Sequence, residues 1–251
     1  DISHVVLHTS ETGPELPEPV RNELPQACGV PIEVMMVIDE SGSMDDAGGG
    51  EPLVSVKAAA NEFVDMMNFD PSDPVATDRA GVTAYEWNAD LRQTLTDDKA
   101  DVTAAINGLS AGGNTNIGHG VSIGQDDLMT NKRVDPLEAQ PIMIVLSDGI
   151  ANRSSDGNSC DSWPSEHNNC TIDAVEQANA AKTNDTVIFT IGYFTQAVEN
   201  AHPASIALAR ETMDYMASQE EYYFETDSTA NLQEIYNQIQ FELCDPNLDF
   251  S

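Results

Sequence analysis

The chain has 251 residues, of which 43 are acidic and 10 are basic, so its formal net charge is −33 at pH 7. A surface of that charge repels nucleic acids and anionic membranes, which excludes both as primary partners. No stretch of the sequence reaches the ~20 apolar residues that a membrane-spanning helix needs. The acidic residues are spread along the chain, which fits either a saline environment or a set of secondary Ca²⁺ sites.

Hydrophobic residues make up 40% of the chain and occur in short blocks, which is typical of one folded domain. Residues 1–30, rich in Pro and Glu, are predicted to form an extended lead-in. Residues 31–245 are predicted to form the domain, and residues 246–251 a tail. The chain starts without a basic targeting segment, and we interpret it as a processed piece of a longer multidomain protein.

Strand and helix patterns alternate along the predicted domain. The apolar, β-branched run at its start predicts a strand that is buried on both faces. The predicted elements are, in chain order, strand 32–38, helix 53–67, strands 81–87 and 91–95 with a tight turn at 88–90, helices 98–109 and 117–129, strand 141–146, helix 172–182, strand 186–191, helix 205–217, strand 222–225 and helix 229–243.

This alternation predicts an α/β fold with a doubly wound, Rossmann-like sheet. The sheet is expected to be mostly parallel, with helices on both faces. The run at 91–95, which follows its neighbour after a tight turn, is expected to be one short antiparallel edge strand.

Oxygen-bearing side chains follow the predicted strands at the positions where ligands of doubly wound sheets bind. The first strand runs into residues 39–43, the loop before the third helix holds residues 112–116, and the most apolar strand runs into residues 147–149. We call these three loops the rim. The candidate metal ligands on it are Asp39, Ser41, Ser43, Thr115 and Asp148.

These residue types point to a hard divalent cation. Mg²⁺ prefers oxygen ligands in octahedral array, and positions 39, 41 and 43 alternate in a turning loop that can direct three oxygens inward. With only two carboxylates nearby, the ion would keep positive charge and an open coordination position for a carboxylate of a partner. We therefore predict one divalent cation, with Mg²⁺ favoured over Ca²⁺ or Mn²⁺.

The spacing Asp-x-Ser-x-Ser from Asp39, the Gly-Asn-Thr block that ends at Thr115, and Ser-Asp-Gly around Asp148 resemble the metal-ion-dependent adhesion site of von Willebrand factor A and integrin I domains. All five positions match in type and order. The resemblance implies that Ser41 and Ser43 bind the ion directly. It implies that Asp39 and Asp148 bind directly or through water, and that Thr115 binds when a ligand is engaged.

The resemblance further implies a non-enzymatic adhesion or protein-interaction module of a secreted or surface protein, pilus-associated or adhesin-like, that binds an acidic group of its partner. One alternative is a non-catalytic subunit that engages a AAA-type ATPase, as in magnesium-chelatase-like systems. Paired cysteines would disfavour that cytosolic setting. A metallophosphatase is the other alternative, but position 41 is Ser where a dehalogenase-like phosphatase has a second Asp.

Three further residues near the rim are candidate partner contacts. Trp163 lies in segment 150–170, which is longer than an ordinary strand-to-helix connection. It either helps to select the partner or belongs to a decorative insertion. Asn116 and His119 lie at the start of the third helix, where the alternative for His119 is an exposed ring with no contact.

Asp45 and Asp46 are candidates for an accessory metal site. The neighbouring calcium site of integrin β-type domains uses a pair of acids just beyond the last serine, and this pair is one position off that spacing. A solvated acidic loop is the alternative.

The four cysteines are predicted to form two disulfides, as in an oxidising compartment. Cys160 and Cys170 would close segment 150–170. Cys28 precedes the first strand and Cys244 follows the predicted last helix, so the predicted fold puts both at the end of the sheet opposite the rim. A Cys28–Cys244 bridge would join the two ends of the domain.

Overall fold

The structure is a computed structural model that describes residues 14–24, 31–46, 51–70, 72–73, 77–133 and 139–244. Within those ranges no helix is both long enough and apolar enough to cross a membrane. The elements follow in this order: β1 (Ile32–Asp39), a 3-10 turn (Gly42–Met44), β2 (Asp45–Asp46), β3 (Glu51–Pro52), α1 (Leu53–Met66), β4 (Arg79–Tyr85), β5 (Ala89–Thr96), α2 (Lys99–Asn107), α3 (Ile117–Asn131), β6 (Gln140–Ser147), α4 (Asn169–Thr183), β7 (Val187–Tyr193), α5 (Gln196–Ala201), α6 (Pro203–Met216), a second 3-10 turn (Glu220–Tyr222), β8 (Tyr223–Thr226) and α7 (Thr229–Cys244).

Six strands form one sheet in the order β5-β4-β1-β6-β7-β8. All neighbours are parallel except β4 and β5, which are antiparallel, so the predicted fold class is confirmed. The edge strand β5 is not short, because it pairs from Ala89 onward and has 8 residues. The predicted turn at 88–90 is wrong for the same reason: the chain reverses at residues 86–88, where Glu86 N donates to Asn88 O at 2.8 Å.

The central strand β1 separates two hydrophobic cores, since successive side chains of a strand point to opposite faces. Val34, Met36 and Ile38 pack on one face with α1, α2 and α7. Met35 and Val37 pack on the other face with α3, α4 and α6. These side chains are almost fully buried, which confirms the prediction of a strand covered on both sides.

Helix α3 packs on the sheet through positions occupied by glycine. A Cβ atom at Gly120 would lie 2.5 Å from Cδ1 of Tyr85, and one at Gly124 would lie 2.9 Å from Cγ of Met35. Only residues without a side chain allow this approach. The contact fixes the height of α3 on the sheet and therefore the position of the rim loop that precedes it.

Helix α5 was not predicted from the sequence. It has six residues, too few for a clear helical period of apolar positions. Thr195 caps its first turn by accepting a hydrogen bond from Val198 N at 3.4 Å, and His202 separates it from α6.

The described part of the lead-in, residues 14–24, contains no helix or strand and lies against the domain. Val20 N donates to Asn179 Oδ1 at 2.8 Å, and Asn22 Nδ2 donates to Thr186 O at 2.9 Å. The rest of the lead-in and the tail at 246–251 lie outside the described residues.

Candidate metal centre

The rim begins at the end of β1 with Asp39, whose carboxylate is fully buried. Its Oδ1 accepts a hydrogen bond from Ser41 N at 2.7 Å, and its Oδ2 accepts one from Ser147 Oγ at 2.7 Å. Burial raises the pKa of Asp39 from its ordinary value to about 6, while the hydrogen bonds from Ser41 and Ser147 act in the opposite direction. A nearby cation would further favour the ionised carboxylate.

The two serines of the same loop connect β1 to β6. Ser41 Oγ and Ser43 Oγ lie 3.0 Å apart, and Ser43 Oγ donates to Asp148 Oδ1 at 2.8 Å. With Asp39 bound to Ser41 N, the structure brings four of the five predicted ligands into one hydrogen-bonded chain.

The loop that carries Thr115 is attached to the β1 loop through the backbone. Gly42 N donates to Gly113 O at 3.3 Å, and Gly112 N donates to Glu40 O at 2.7 Å. Gly113 has a φ of 75°, and a Cβ atom there would collide with the Glu86 carboxylate. This position therefore requires glycine.

Thr115 itself is 4% exposed and is held from the opposite side by the segment after β6. Thr115 N donates to Asn152 Oδ1 at 2.9 Å, and the Thr115 carbonyl oxygen accepts from Asn152 N at 3.0 Å and Arg153 N at 3.2 Å. The sequence analysis did not identify Asn152 as a residue of the site. Its position in a segment of unusual length just after Asp148 was the available signal.

Two further residues of the rim, Glu40 and Ser147, were not among the predicted site residues. The Glu40 carboxylate, 1% exposed, accepts from Arg92 Nη2 and Ser110 N, both at 2.5 Å, and so joins the β1 loop to β5 and to the loop after α2. Ser147 fixes Asp39, as described above. Both residues neighbour a predicted ligand in the sequence, which was the only signal for them.

The donor set fits a hard divalent cation. It consists of oxygens alone, from two carboxylates and three hydroxyls. Within the part of the chain that the structure describes, no three His, Cys, Asp or Glu side chains are grouped so that they could hold a metal ion, so a fully acidic structural site is not formed there. Both oxygens of Asp39 already accept hydrogen bonds, which fits contact with the ion through water.

Trp163 lies beside this centre. Its side chain is 43% exposed and stacks on His202, with ring centroids 3.6 Å apart and planes inclined by 6°. Trp163, Ser43 and Asp148 line the same cavity of about 300 Å³. The residue is therefore located where a partner bound at the rim would reach it.

The two other candidate partner contacts have structural roles. Asn116 has no exposed surface, and its amide nitrogen donates to Trp87 O and Ser154 O, both at 3.1 Å. The prediction that Asn116 contacts a partner is therefore wrong. His119 is half-buried rather than exposed, and its Nδ1 accepts from Ala89 N at 2.9 Å, so it holds the start of β5.

The acidic pair after Ser43 lies in the small hairpin. Asp45 pairs with Pro52 and Asp46 with Glu51, and Asp45 lines the cavity that Ser43 and Asp148 share. The accessory metal site at Asp45 and Asp46 stays a prediction.

Cys160 and Cys170 form a disulfide, as predicted, and close the second half of segment 150–170. Cys170 is fully buried in the first turn of α4, and Cys160 N donates to Asn152 O at 2.8 Å. The disulfide thus helps to fix Asn152, which in turn is hydrogen-bonded to Thr115. Cys28 and the side chain of Cys244 lie outside the described residues, so the bridge between them stays a prediction.

Comparisons with known proteins identify the fold family. The family model of the von Willebrand factor type A domain matches residues 33–238. No curated protein matches the chain. Among solved structures, the vWF domain of the type V pili tip protein Mfa5 from Porphyromonas gingivalis is 18% identical, with 85% of this chain and 95% of that chain covered and a TM-score of 0.67.

Two other similar structures are parts of longer chains. Proximal thread matrix protein 1 from the mussel byssus, in a structure with a zinc-occupied MIDAS motif, is 18% identical, with 86% of this chain and 49% of that chain covered and a TM-score of 0.64. The pilus adhesin SpaC from Lactobacillus rhamnosus GG is 15% identical, with 91% and 32% covered and a TM-score of 0.63. On the match of its family model and on its fold, this chain belongs to the von Willebrand factor type A domain family.

Proposed function

We propose that this domain binds one divalent cation at the rim and uses it to bind an acidic group of a protein partner. The observation that carries the proposal is the hydrogen-bonded chain from Ser41 Oγ through Ser43 Oγ to Asp148 Oδ1, which groups uncharged and charged oxygens from two strand ends. Mg²⁺ is the favoured ion, and Ca²⁺ and Mn²⁺ suit the same ligand types. The proposed ligands are Asp39, Ser41, Ser43, Thr115 and Asp148.

The charge of the protein explains why a cation would be needed. With a net charge of −33, the surface repels an acidic partner at long range. Two carboxylates can at most neutralise the charge of a dication. They compensate less of that charge if Asp39 contacts the ion through water. A bound cation would then be a local attractive charge to which a partner carboxylate could add an oxygen ligand.

A binding role without catalysis is supported by the partners of the rim hydroxyls. Ser43 donates to Asp148 and Ser147 donates to Asp39, so both serines bond to carboxylates rather than to a histidine base. A serine in that environment is not an activated nucleophile.

We further propose that residues 31–245 are one module of a longer multidomain protein that is secreted or displayed on the cell surface. The Cys160–Cys170 disulfide supports an oxidising compartment and disfavours a cytosolic ATPase-linked role. The pilus tip protein and the pilus adhesin among the similar structures support a role in adhesion.

Calorimetric titration with MgCl₂, CaCl₂ and MnCl₂ tests the cation site. We expect Mg²⁺ to bind the wild type. Ser43→Ala removes a hydroxyl ligand and Asp148→Asn removes a carboxylate charge, and each should weaken binding about 100-fold. Asp126→Asn, at an exposed position of α3, is the matched control and should bind as the wild type does. Absence of binding for all three ions, or equal affinity of Asp148→Asn and the wild type, would contradict the proposal.

A further inference from the structure

A cavity of about 300 Å³ opens next to Ser43 and Asp148, a volume at the lower end of the range for ligand pockets. One part of its wall is polar and includes these two residues and Asp45. The remainder is largely apolar and comes from β3, β7, α5 and segment 150–170. Its apolar and aromatic wall residues are Pro52, Trp163, Tyr193, Ala197, Val198 and Ala201.

The aromatic wall is held in place by several contacts. Trp163 stacks on His202, and Trp163 N donates to Asp161 Oδ1 at 3.1 Å. Ser205, which is 3% exposed, donates from its hydroxyl to Pro164 O at 2.8 Å and so ties the neighbouring backbone to α6. Because the Trp163 ring already packs on His202, a ligand that packs on its exposed part would lose less free energy in ordering it than at an unsupported ring.

The opposite wall, helix α5, also rests on folded structure. Val198 packs against a small core of Ile150, Phe194 and Ile206. Arg210 of α6 donates from Nη1 to the Glu199 carboxylate of α5 at 2.9 Å. The cavity therefore lies between elements that are each attached to the domain.

We infer that this cavity receives a large apolar side chain of the partner while the acidic residue of the same partner segment binds at the rim. The inference rests on the proposed cation site. In an extended segment, residues two positions apart point to the same side and lie about 7 Å from each other. Because Ser43 and Asp148 belong to both the cavity wall and the proposed site, one segment with that spacing can reach both.

The negative charge of the domain determines which flanking residues the partner segment should have. The domain has a net charge of −33, and Asp45 adds a carboxylate to the cavity wall. Further acidic residues in the partner would be repelled, whereas basic residues would be attracted. The partner is thus an extended protein segment with one Asp or Glu, a large apolar residue two positions away, and basic flanks.

Two blocked heptapeptides with a fluorescent dye test the inference by anisotropy in saturating MgCl₂: acetyl-Lys-Gly-Phe-Gly-Glu-Gly-Lys-amide and the same peptide with Phe and Glu exchanged. In at least one order, the Phe peptide should bind about tenfold more tightly than its Ala counterpart, because the ring is buried in the cavity. The matching peptides with Gln in place of Glu, and samples with EDTA, should not bind.

Variants of the domain test whether the preference for Phe arises in this cavity. Ala201→Phe fills the cavity from an exposed position at the end of α5 and should abolish the preference for Phe over Ala, with Mg²⁺ affinity unchanged. Ala204→Phe, at an exposed position of α6 outside the cavity, is the matched control and should keep the preference. Trp163→Ala should lower the preference, while Trp87→Ala, whose ring is similarly exposed, should not.

The outcomes separate the two proposals. Equal affinity for the Phe and Ala peptides, or no binding of any peptide to a domain that binds Mg²⁺, overturns the cavity inference and leaves the cation site standing. A preference for Phe that persists in Ala201→Phe would show that the Phe side chain does not bind in this cavity. A preference for Phe that persists with Gln peptides or in EDTA supports the cavity but contradicts the proposed function of the cation.

Discussion

Asn152 and the backbone of Thr115 are joined by two hydrogen bonds, one through the Asn152 side chain and one through its backbone nitrogen. Asn152 Oδ1 accepts from Thr115 N at 2.9 Å, and Asn152 N donates to the Thr115 carbonyl oxygen at 3.0 Å. The rim loop that carries Thr115 is thereby fixed to segment 150–170, which follows β6 in a different part of the chain. Thr115 is the one proposed ligand that does not belong to the Asp39–Ser43–Asp148 chain, so its position depends on this pair.

Asn152→Ala should weaken Mg²⁺ binding about tenfold, since a hydrogen bond to a nearly buried backbone nitrogen contributes about 1–3 kcal/mol. Asn152→Asp keeps the acceptor oxygen and should bind Mg²⁺ more tightly than Asn152→Ala. Calorimetry measures both, with Asn184→Ala at the end of α4 as control. If Asn152→Ala binds Mg²⁺ as the wild type does, the contact does not position Thr115 for the ion.

Mg²⁺ should stabilise the wild-type domain against heat. A ligand that binds only the folded state, present at 100 times its Kd, contributes about 2.7 kcal/mol. Thermal unfolding with increasing MgCl₂ should raise the Tm of the wild type and of Asp126→Asn but not that of Asp148→Asn. An equal rise in all three proteins would indicate binding elsewhere on the acidic surface.

Removal of the Cys160–Cys170 disulfide, by Cys160→Ala together with Cys170→Ala, should lower the free energy of unfolding by about 3 kcal/mol. The reason is that the crosslink restricts the conformations of the unfolded chain. Mg²⁺ affinity should fall as well, because Cys160 N donates to Asn152 O. Urea unfolding and calorimetry measure the two effects. Lower stability with unchanged affinity would show that the loop keeps Asn152 in place without its crosslink.

Glu33 lies near the start of β1, at the end of the sheet opposite the rim, and has no exposed surface. Its carboxylate contacts Arg79 Nη1 at 3.0 Å and accepts from Arg133 N at 3.1 Å. Burial raises the pKa of Glu33, while the Arg133 backbone nitrogen and the Arg79 charge lower it.

Glu33→Ala should therefore destabilise the domain by about 3 kcal/mol, because two arginines lose their partner. Mg²⁺ affinity should not change. Glu62→Ala, at an exposed position of α1, serves as the control in urea unfolding. A variant that loses cation binding while it remains folded would show an unexpected link between the two ends of β1.

Lys182 provides a test by pH. It is 2% exposed, and its Nζ donates to Tyr215 O at 3.0 Å and Ala217 O at 3.2 Å. Burial, helped by the charge of Arg21 and opposed by that of Asp214, lowers the pKa of Lys182 to about 7. The unfolded chain therefore binds more protons at this residue between pH 7 and its ordinary pKa of about 10.4.

The free energy of unfolding should consequently rise with pH in that window, by at most about 1.4 kcal/mol per pH unit. The measurement is urea unfolding at several pH values for the wild type and Lys182→Met. The difference between them should increase from pH 7 to pH 9. A difference that is flat, or that falls with pH, would show that Lys182 stays protonated in the folded domain.

The fold and the proposed ligands could be predicted because both depend on local patterns. The apolar run that became β1 ends at Asp39, and the run that became β6 ends next to Asp148, so strand ends located the rim. Contacts between distant residues could not be predicted in this way. The pairs Thr115–Asn152 and Trp163–His202 are 37 and 39 positions apart, and no period connects their members.

Helix α5 and Asn116 show two other reasons why parts of the structure could not be predicted from the sequence. A six-residue helix has too few apolar positions for its period to be visible, although it forms one wall of the cavity. Asn116, at the start of the third helix, was expected to contact a partner, but its side chain caps α3 through His119 N and is buried. A polar residue next to a site can serve the backbone instead.

The glycines of α3 have a consequence for how substitutions would act on the domain. At Gly120 and Gly124 even a single methyl group would force either the helix or the side chains of the strands beneath it to shift, and a shift of the helix would carry Thr115 along. Mutational tolerance at these two positions should therefore be as low as at the proposed ligands, although neither offers an atom to a cation. The rim is thus shaped in part by two positions without side chains, about 6 and 12 Å along α3 from Asn116.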